Sequence, residues 1–561
     1  MFLRFPLRIR GRRLVLDYWY CMVFLLCAIM LVPIISIAWL ALSYGWKEAF
    51  IDVSGSVWQR YLKDTMILLL SVGGVSGIIG ICTAWFVTIF KFPGHRFFEW
   101  SLLAPLAIPG YISAYAIVDF FEYSGFLQLN LRQIFGWTAP NDYWFPDIRT
   151  MGGAIMVLSF SLYPYVYFLT RTALLEHSDR FLQAAKILGC GAVKRFLHVA
   201  IPLSRPAIVA GIAMILMEVL NDFGAVEHFS ISTLTVGIFT MWFENHNVQG
   251  VAQLSLVLLL LSVILLSFER FSRKKAQFYS ISSEWNVQKK ENSGIFFGSL
   301  MCIFCAITLF FGFILPFSII IVHSMKNVNI IMSVVFLKSL LNTIYLASFT
   351  TVISLFVAAI MVYGARILKK KEIIFLTRIS SLGYAVPSAV LAIGVLLPFT
   401  KIDKWLIQST PWVLGIDITS LLLTGSIGAI IFAFVVRFNT VAYSALDGAF
   451  GRISPNITYA AQVFGKGRSE VLLRVNLPLI KPTMLAAAIL IFVDSTKELS
   501  ATLILQPFNF STLSTQVYQY ASLEQLGHAA PAALTISTLS LIPVVILSRF
   551  TNSARRQNAL L

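Results

Sequence analysis

Long apolar runs separated by short polar segments recur from one end of this chain to the other. A helix needs about 20 apolar residues to cross a hydrocarbon core. Runs of that length predict twelve spans. The first six cover roughly 19–43, 65–90, 97–121, 151–170, 206–226 and 250–268, and the second six roughly 296–323, 342–364, 373–398, 418–437, 483–505 and 531–549. The runs are continuous, which excludes the alternating pattern of a barrel, so helices must satisfy the backbone in lipid. Pro109 and Pro387 fall inside the third and ninth spans and predict kinks there. The first run, after the basic stretch Arg4 to Arg13, is too long for a signal peptide and is read as an uncleaved first span.

Composition agrees. Of 561 residues, 58% are hydrophobic and 12% charged, against about a quarter charged in a soluble protein. The net charge of +17 would admit nucleic acid as a partner if the basic residues were not sorted by topology. With the N-terminus inside, Arg4 to Arg13, Arg171 to Arg205, Arg270 to Lys290, Arg366 to Lys371 and Arg549 to Arg556 fall on inner segments. Arg437 is assigned to the inner edge of the tenth span. The outer side holds Lys47, Arg60, Lys63, Arg132, Arg149, Lys326, Lys338, Lys401 and Lys404. An inner excess of about three to one is the positive-inside pattern and places both termini in the cytoplasm. The six cysteines (Cys21, Cys27, Cys82, Cys190, Cys302 and Cys305) avoid outer loops, so no disulfide is expected.

The two halves repeat. Ala184-Ala185-x3-Gly189-x-Gly191 recurs 276 residues later as Ala460-Ala461-x3-Gly465-x-Gly467, and Ile201-Pro202-Leu203 recurs as Leu477-Pro478-Leu479. Pro109 meets Pro387, and Ser232-Thr233-Leu234 meets Ser511-Thr512-Leu513. Six spans per half give parallel repeats about an axis along the membrane normal. Residues 1–269 form the first repeat, 270–295 a basic cytoplasmic linker and 296–561 the second repeat. Within the repeated loops at 181–206 and 457–482, Gly189 and Gly465 stop a helix in the left-handed conformation. Pro202 and Pro478 are expected to keep a helix from running unbroken into the membrane. The product is a helix-turn-helix knob, presented twice.

The knob spacing, from Ala184-Ala185 through Gly189 to Pro202 and from Ala460-Ala461 through Gly465 to Pro478, resembles the EAA loop of binding-protein-dependent ABC importer permeases. Gln183 and Tyr459 stand where that family opens with glutamate. The resemblance implies an all-α polytopic fold of the type I importer kind and coupling loops that dock on a cytoplasmic ABC ATPase dimer. It also implies a periplasmic substrate-binding protein as donor, a bacterial inner-membrane location and no enzymatic role for this chain. The sequence holds no G-x-x-x-x-G-K-[ST] phosphate loop. No cofactor is therefore expected on this chain, and ATP and magnesium would bind the partner ATPase.

Intramembrane acids are candidates for a transport path. Glu218 and Asp222 lie four apart in the fifth span, and Asp494 and Glu498 four apart in the eleventh, at the same offset of 276. They fall roughly 18–24 Å from the inner surface at helical rise. The repeat axis would gather four carboxylates, a set suited to a hard cation and repellent to sulfate or molybdate. Outer segments add Glu227, His228, Glu244, His246, Glu524 and His528. No stable metal site is assigned. The segments Asn221–Phe229 and Lys497–Phe510 resemble those of fused ferric-iron permeases, which implies ferric iron as cargo and a ferric-binding protein as its donor. Thiamine, polyamine and phosphonate permeases are similar, and a secondary transporter also has six-plus-six helices. The duplicated knob argues against that last alternative.

Overall fold

The computed structural model describes residues 5–9, 12–16, 18–43, 57–274, 290–414 and 421–558. Lys47, most of the linker (275–289) and the predicted start of the tenth span (418–420) lie outside the described residues. The chain is almost entirely helical. Ten described helices are long and apolar enough to cross a membrane. Two further apolar helix pairs are bent sharply, His95–Ala107 with Gly110–Phe135 at 93° and Lys371–Ala385 with Ser388–Ser409 at 116°, and the count reaches twelve if each pair is one span.

The bends sharpen the expectation for Pro109 and Pro387. Each proline precedes the first residue of a new helix, Gly110–Phe121 or Ser388–Leu414. Ser113 and Leu391 donate their N–H groups back to the Pro109 and Pro387 carbonyls. The proline ring fixes the backbone outside the preceding helix, and the chain turns instead of kinking.

Pro202 and Pro478 behave in the opposite way, which corrects the expectation of a break. Each knob helix continues into the membrane through one π turn, at Phe196–Ala200 and at Leu472–Asn476. Ala192–Asn221 and Arg468–Lys497 are thus single 30-residue rods. A third π turn, Phe310–Ile314, precedes Pro316 in the same way. A proline inside a helix clashes with the carbonyl four residues back and lacks the N–H to bond it. Widening the preceding turn moves that carbonyl aside.

Two compact units cut across the sequence repeat. The first holds Met1–Trp46 with Lys338–Thr512; the second holds Lys47–Leu337 with Leu513–Leu561. In the first unit the helix Tyr18–Ser43 packs on Lys371–Ser380 and Ser388–Leu414. Glycines permit the approach: a Cβ at Gly364 would collide with Val23, and one at Gly394 with the Pro33 carbonyl. Ser36 Oγ donates to the Gly394 carbonyl at 2.7 Å. In the second unit Val57–Ile89, Met151–Ile187 and Ile201–Asn221 form the core. There Val166 fits between two glycines, 2.8 Å from a Cβ built on Gly80 or on Gly211. Small residues at helix crossings are how packing is achieved where lipid competes for apolar surface. The helices Ile295–Leu309 and Leu315–Lys326 also belong to this unit. Gly312 abuts the Phe160 carbonyl, and His323 Nε2 lies 3.1 Å from Asp119 Oδ2. The six cysteines are free thiols.

Candidate functional site

Both knobs are built by the same local chemistry. Met151–Ile187 ends where Gly189 takes φ +82°, and Pro455–Val463 ends where Gly465 takes φ +76°. Cys190 N–H bonds the Ala185 carbonyl at 3.0 Å, and Lys466 N–H bonds the Ala461 carbonyl at 3.2 Å. Leu188 and Phe464 bond the carbonyls of Ala184 and Ala460. The six-to-one closures at Cys190 and Lys466 need a left-handed residue before them, which glycine supplies without a Cβ penalty. Apolar tips stand in the open: Ile187 is 86% exposed, Leu188 82%, Val463 86% and Phe464 83%. Paired exposed apolar tips mark a contact surface.

The first knob is also tied to the linker. Arg195 holds Glu291 with both guanidinium nitrogens, at 2.7 and 2.9 Å, and Lys186 Nζ reaches it at 3.0 Å. Lys290 Nζ lies 2.5 Å from Glu99 Oε1 and 2.9 Å from the Val87 carbonyl, and Arg171 reaches Glu99 Oε2 at 3.3 Å. Glu291-Asn292 pair in parallel with Phe90-Lys91. Sequence reading passed over Glu291; its signal is a single acid closing a basic run.

The Arg195 guanidinium first, and Lys186 second, hold the Glu291 carboxyl down at about 2, against an ordinary 4.5. A depressed carboxyl stabilises the fold fully above its unfolded value. That contribution is lost as pH falls from 4.5 through about 2. The melting difference between wild type and Glu291→Gln is therefore expected to be constant at neutral pH and to shrink below pH 4.5. Thermal unfolding in detergent across that range checks it; a difference independent of pH would remove the bridge.

The acids lie where long helices break. Ile201–Asn221 stops with Asp222 as its extended cap residue, and Leu477–Lys497 stops with Glu498 likewise. Asp222 and Glu498 thus fall just beyond a helix end, a correction to the reading of four-apart acids on one unbroken face. The reason is capping. Asp222 Oδ1 accepts the Ala225 N–H at 2.8 Å, opening the short helix Gly224–His228. Glu498 Oε1 faces the Ala501 N–H at 3.5 Å, at the start of Ser500–Leu505. Asp222 Oδ2 lies 2.9 Å from a Cβ built on Gly110, beside the first turn of Gly110–Phe121, where a helix dipole favours an anion. Glu218 and Asp494 sit one turn inward, half-buried.

Glu498 has a further partner. Arg437 Nε lies 3.4 Å from Glu498 Oε2, with both side chains buried. Arg437 sits within Ile427–Gly451, so it is an internal residue of that helix and not the edge of an inner loop. The first half carries Ser161 at the repeat-equivalent position. Outer residues of the second unit cluster unevenly too. Tyr518 OH donates to Glu227 at 3.0 Å, His228 packs edge-on against Tyr115 at 4.7 Å, and Arg149 bridges Glu122 and Glu524 at 2.9 Å each. The second half has Leu503 and Ile504 in place of Glu227 and His228.

Membrane-crossing helices with acids at their breaks, and two exposed apolar-tipped knobs, are the arrangement of a membrane transport subunit. Residues 76–278 match the family model described as "Binding-protein-dependent transport system inner membrane component", and the chain is a permease of that ABC importer class. The Fe(3+)-transport system permease protein FbpB 2 of Haemophilus influenzae is 25% identical over 501 residues, 87% of this chain and 89% of its own length. The sulfate permease CysT of Salmonella typhimurium is 25% identical over 36% of this chain and 69% of its own. The molybdenum permease ModB of Escherichia coli is 26% identical over 39% of this chain and 96% of its own. Permeases of this family work with an ABC ATPase and a periplasmic binding protein in the inner membrane.

Proposed function

We propose that this chain carries ferric iron from a periplasmic ferric-binding protein to the cytoplasm, with both termini cytoplasmic. The observation that carries the reading is an acid pair repeated at the same helix break in each half: Glu218 with Asp222, and Asp494 with Glu498. A trivalent cation favours carboxylate oxygen, and an oxyanion is repelled by it. The relative named for Fe(3+) is similar along both halves, whereas the sulfate and molybdenum permeases align with 36% and 39% of this chain.

The knobs, through Ala184, Ala185, Gly189 and Pro202 and through Ala460, Ala461, Gly465 and Pro478, receive the ATPase dimer. ATP and magnesium stay on that partner, and this chain contributes no catalytic group. Each knob is continuous with the rod that ends at an acid pair, a lever of about 45 Å at helical rise. Movement of a knob therefore moves the acids without an intervening hinge.

The test is uptake of labelled ferric iron by proteoliposomes holding the whole transporter and its binding protein. Glu218→Gln and Asp494→Asn, which leave the caps intact, are expected to lower uptake about tenfold, the equivalent of roughly 1.4 kcal/mol at the barrier. Unchanged uptake would take the acids out of the path. Uptake of molybdate or thiamine in place of iron would replace the cargo and leave the knob mechanism standing.

A further inference from the structure

The unit that carries the second knob holds an open-mouthed cavity of about 400 Å³. Tyr363, Arg366, Lys369, Tyr459, Arg468 and Asn476 line it. It lies between the cytoplasmic ends of Val334–Leu368 and Ile427–Gly451 and the knob itself. Arg366 is shared with Asp447 at 2.8 Å, and Lys369 Nζ lies 3.1 Å from Tyr459 OH. Lys369 holds φ +49°, a conformation that costs a non-glycine residue energy and survives where surroundings impose it. Asn476 is 2% exposed and its Oδ1 has no hydrogen-bond partner. A buried polar atom left so costs about 1–3 kcal/mol.

The other copy of the repeat shows that the fold does not require this cavity. Arg468 corresponds to Ala192, Asn476 to Ala200, Tyr459 to Gln183 and Phe450 to Leu174. In the second unit Leu174 and Ala200 belong to a packed apolar cluster with Trp85, Val87 and Phe196. The gap among Leu174, Phe196 and Ala200 leaves no room for a water molecule. One copy is filled with apolar side chains; the other is hollow and cationic, with the buried Asn476 in its wall.

We propose that this cavity binds a phosphate ester carrying a free hydroxyl, the phosphate on Arg468, Lys369 and Arg366 and the hydroxyl on the Asn476 amide. Guanidinium and ammonium groups supply the charge-assisted donors phosphate needs, and a hydroxyl both donates and accepts, so it completes the amide. Such a ligand ties Lys369, just past the end of the membrane helix Val334–Leu368, to Arg468, on the knob, and stiffens the second knob only. Its source is either a soluble phosphate ester or the glycerol-phosphate headgroup of an inner-leaflet lipid. The inference holds whatever the cargo.

The experiment uses the assembled transporter stripped of lipid in detergent. Calorimetry with sn-glycerol 3-phosphate probes the soluble source. Native mass spectrometry after exchange into mixed phosphatidylglycerol and phosphatidylcholine probes the lipid source. Wild type is expected to bind the first, or to retain phosphatidylglycerol over phosphatidylcholine. Arg468→Ala with Asn476→Ala, the residues the other copy carries, is expected to weaken that binding at least tenfold. Asn476→Asp, which keeps the volume and sets a like charge against the anion, should do the same if the double variant fails to fold. Binding of neither probe by wild type, or undiminished binding by the folded variants, overturns the proposal.

Discussion

Arg437→Met is expected to destabilise the protein by about 3–5 kcal/mol, the range seen when one partner of a buried ion pair is removed. Arg437 is 4% exposed and Glu498 is 7% exposed. Both lie in the unit formed by Met1–Trp46 and Lys338–Thr512. Without the guanidinium, Glu498 retains its place at the start of Ser500–Leu505, but its charge stays buried beside a thioether. The cost falls on the carboxylate left behind. Arg437→Met with Glu498→Met removes both charges and is expected to recover most of the loss, since apolar replacement of a buried pair is often neutral. Denaturant titration in mixed micelles would measure both. A single variant within about 1 kcal/mol of wild type would show that the pair is solvated or otherwise compensated.

Arg437 also shows why sequence reading stops where it does. An apolar run is bounded by its charges, so hydropathy ends the tenth span at Arg437. The helix Ile427–Gly451 continues through it because Glu498, more than sixty residues away in sequence, neutralises it. A long-range partner leaves no trace in local hydropathy. The same holds for the compact units. The run at 19–43 is apolar on every side, and nothing within it names Gly364 and Gly394 as its seat. Span count, by contrast, was legible, because lipid imposes length and apolarity on each helix separately. The knobs were legible because a left-handed stop demands glycine locally, and two copies expose the demand. The prolines were only half legible. Pro109 and Pro387 begin new helices, while Pro202, Pro316 and Pro478 follow π turns. What decides between the two outcomes is whether the preceding turn widens, which the proline itself does not specify.

Gly465→Val is expected to lower ATP-coupled uptake about ten- to thirtyfold, and Gly189→Val by less. A Cβ at either glycine would meet nothing within 4 Å, so the penalty is conformational. An L-residue in the left-handed region costs about 1–2 kcal/mol, and a β-branched one is a stronger outlier there. At roughly 1.4 kcal/mol per factor of ten, one such residue depletes correctly shaped knobs by that factor or more. The exposed tips Val463 and Phe464 are aimed by the turn at Gly465, so a reshaped knob presents them elsewhere. The first knob has a second restraint: Glu291 clamps Arg195 and Lys186 on either side of Gly189. The second knob is held from outside by hydrogen bonds, Lys369 to Tyr459, Tyr363 to the Arg468 carbonyl and Tyr18 with Ser469, while its described ion pairs, Lys466 and Arg474 on Glu470, stay within the knob. The ionic clamp should hold the first knob closer to its docked shape despite the strain, and Glu291→Gln combined with Gly189→Val should remove the advantage. Asparagine tolerates the left-handed region, so Gly465→Asn is expected to keep most of the activity that Gly465→Val loses. The measurement is cargo-stimulated ATP hydrolysis by the reconstituted transporter, read beside uptake. Equal losses for asparagine and valine would mean that side-chain bulk at the docking surface governs coupling, and the left-handed turn does not.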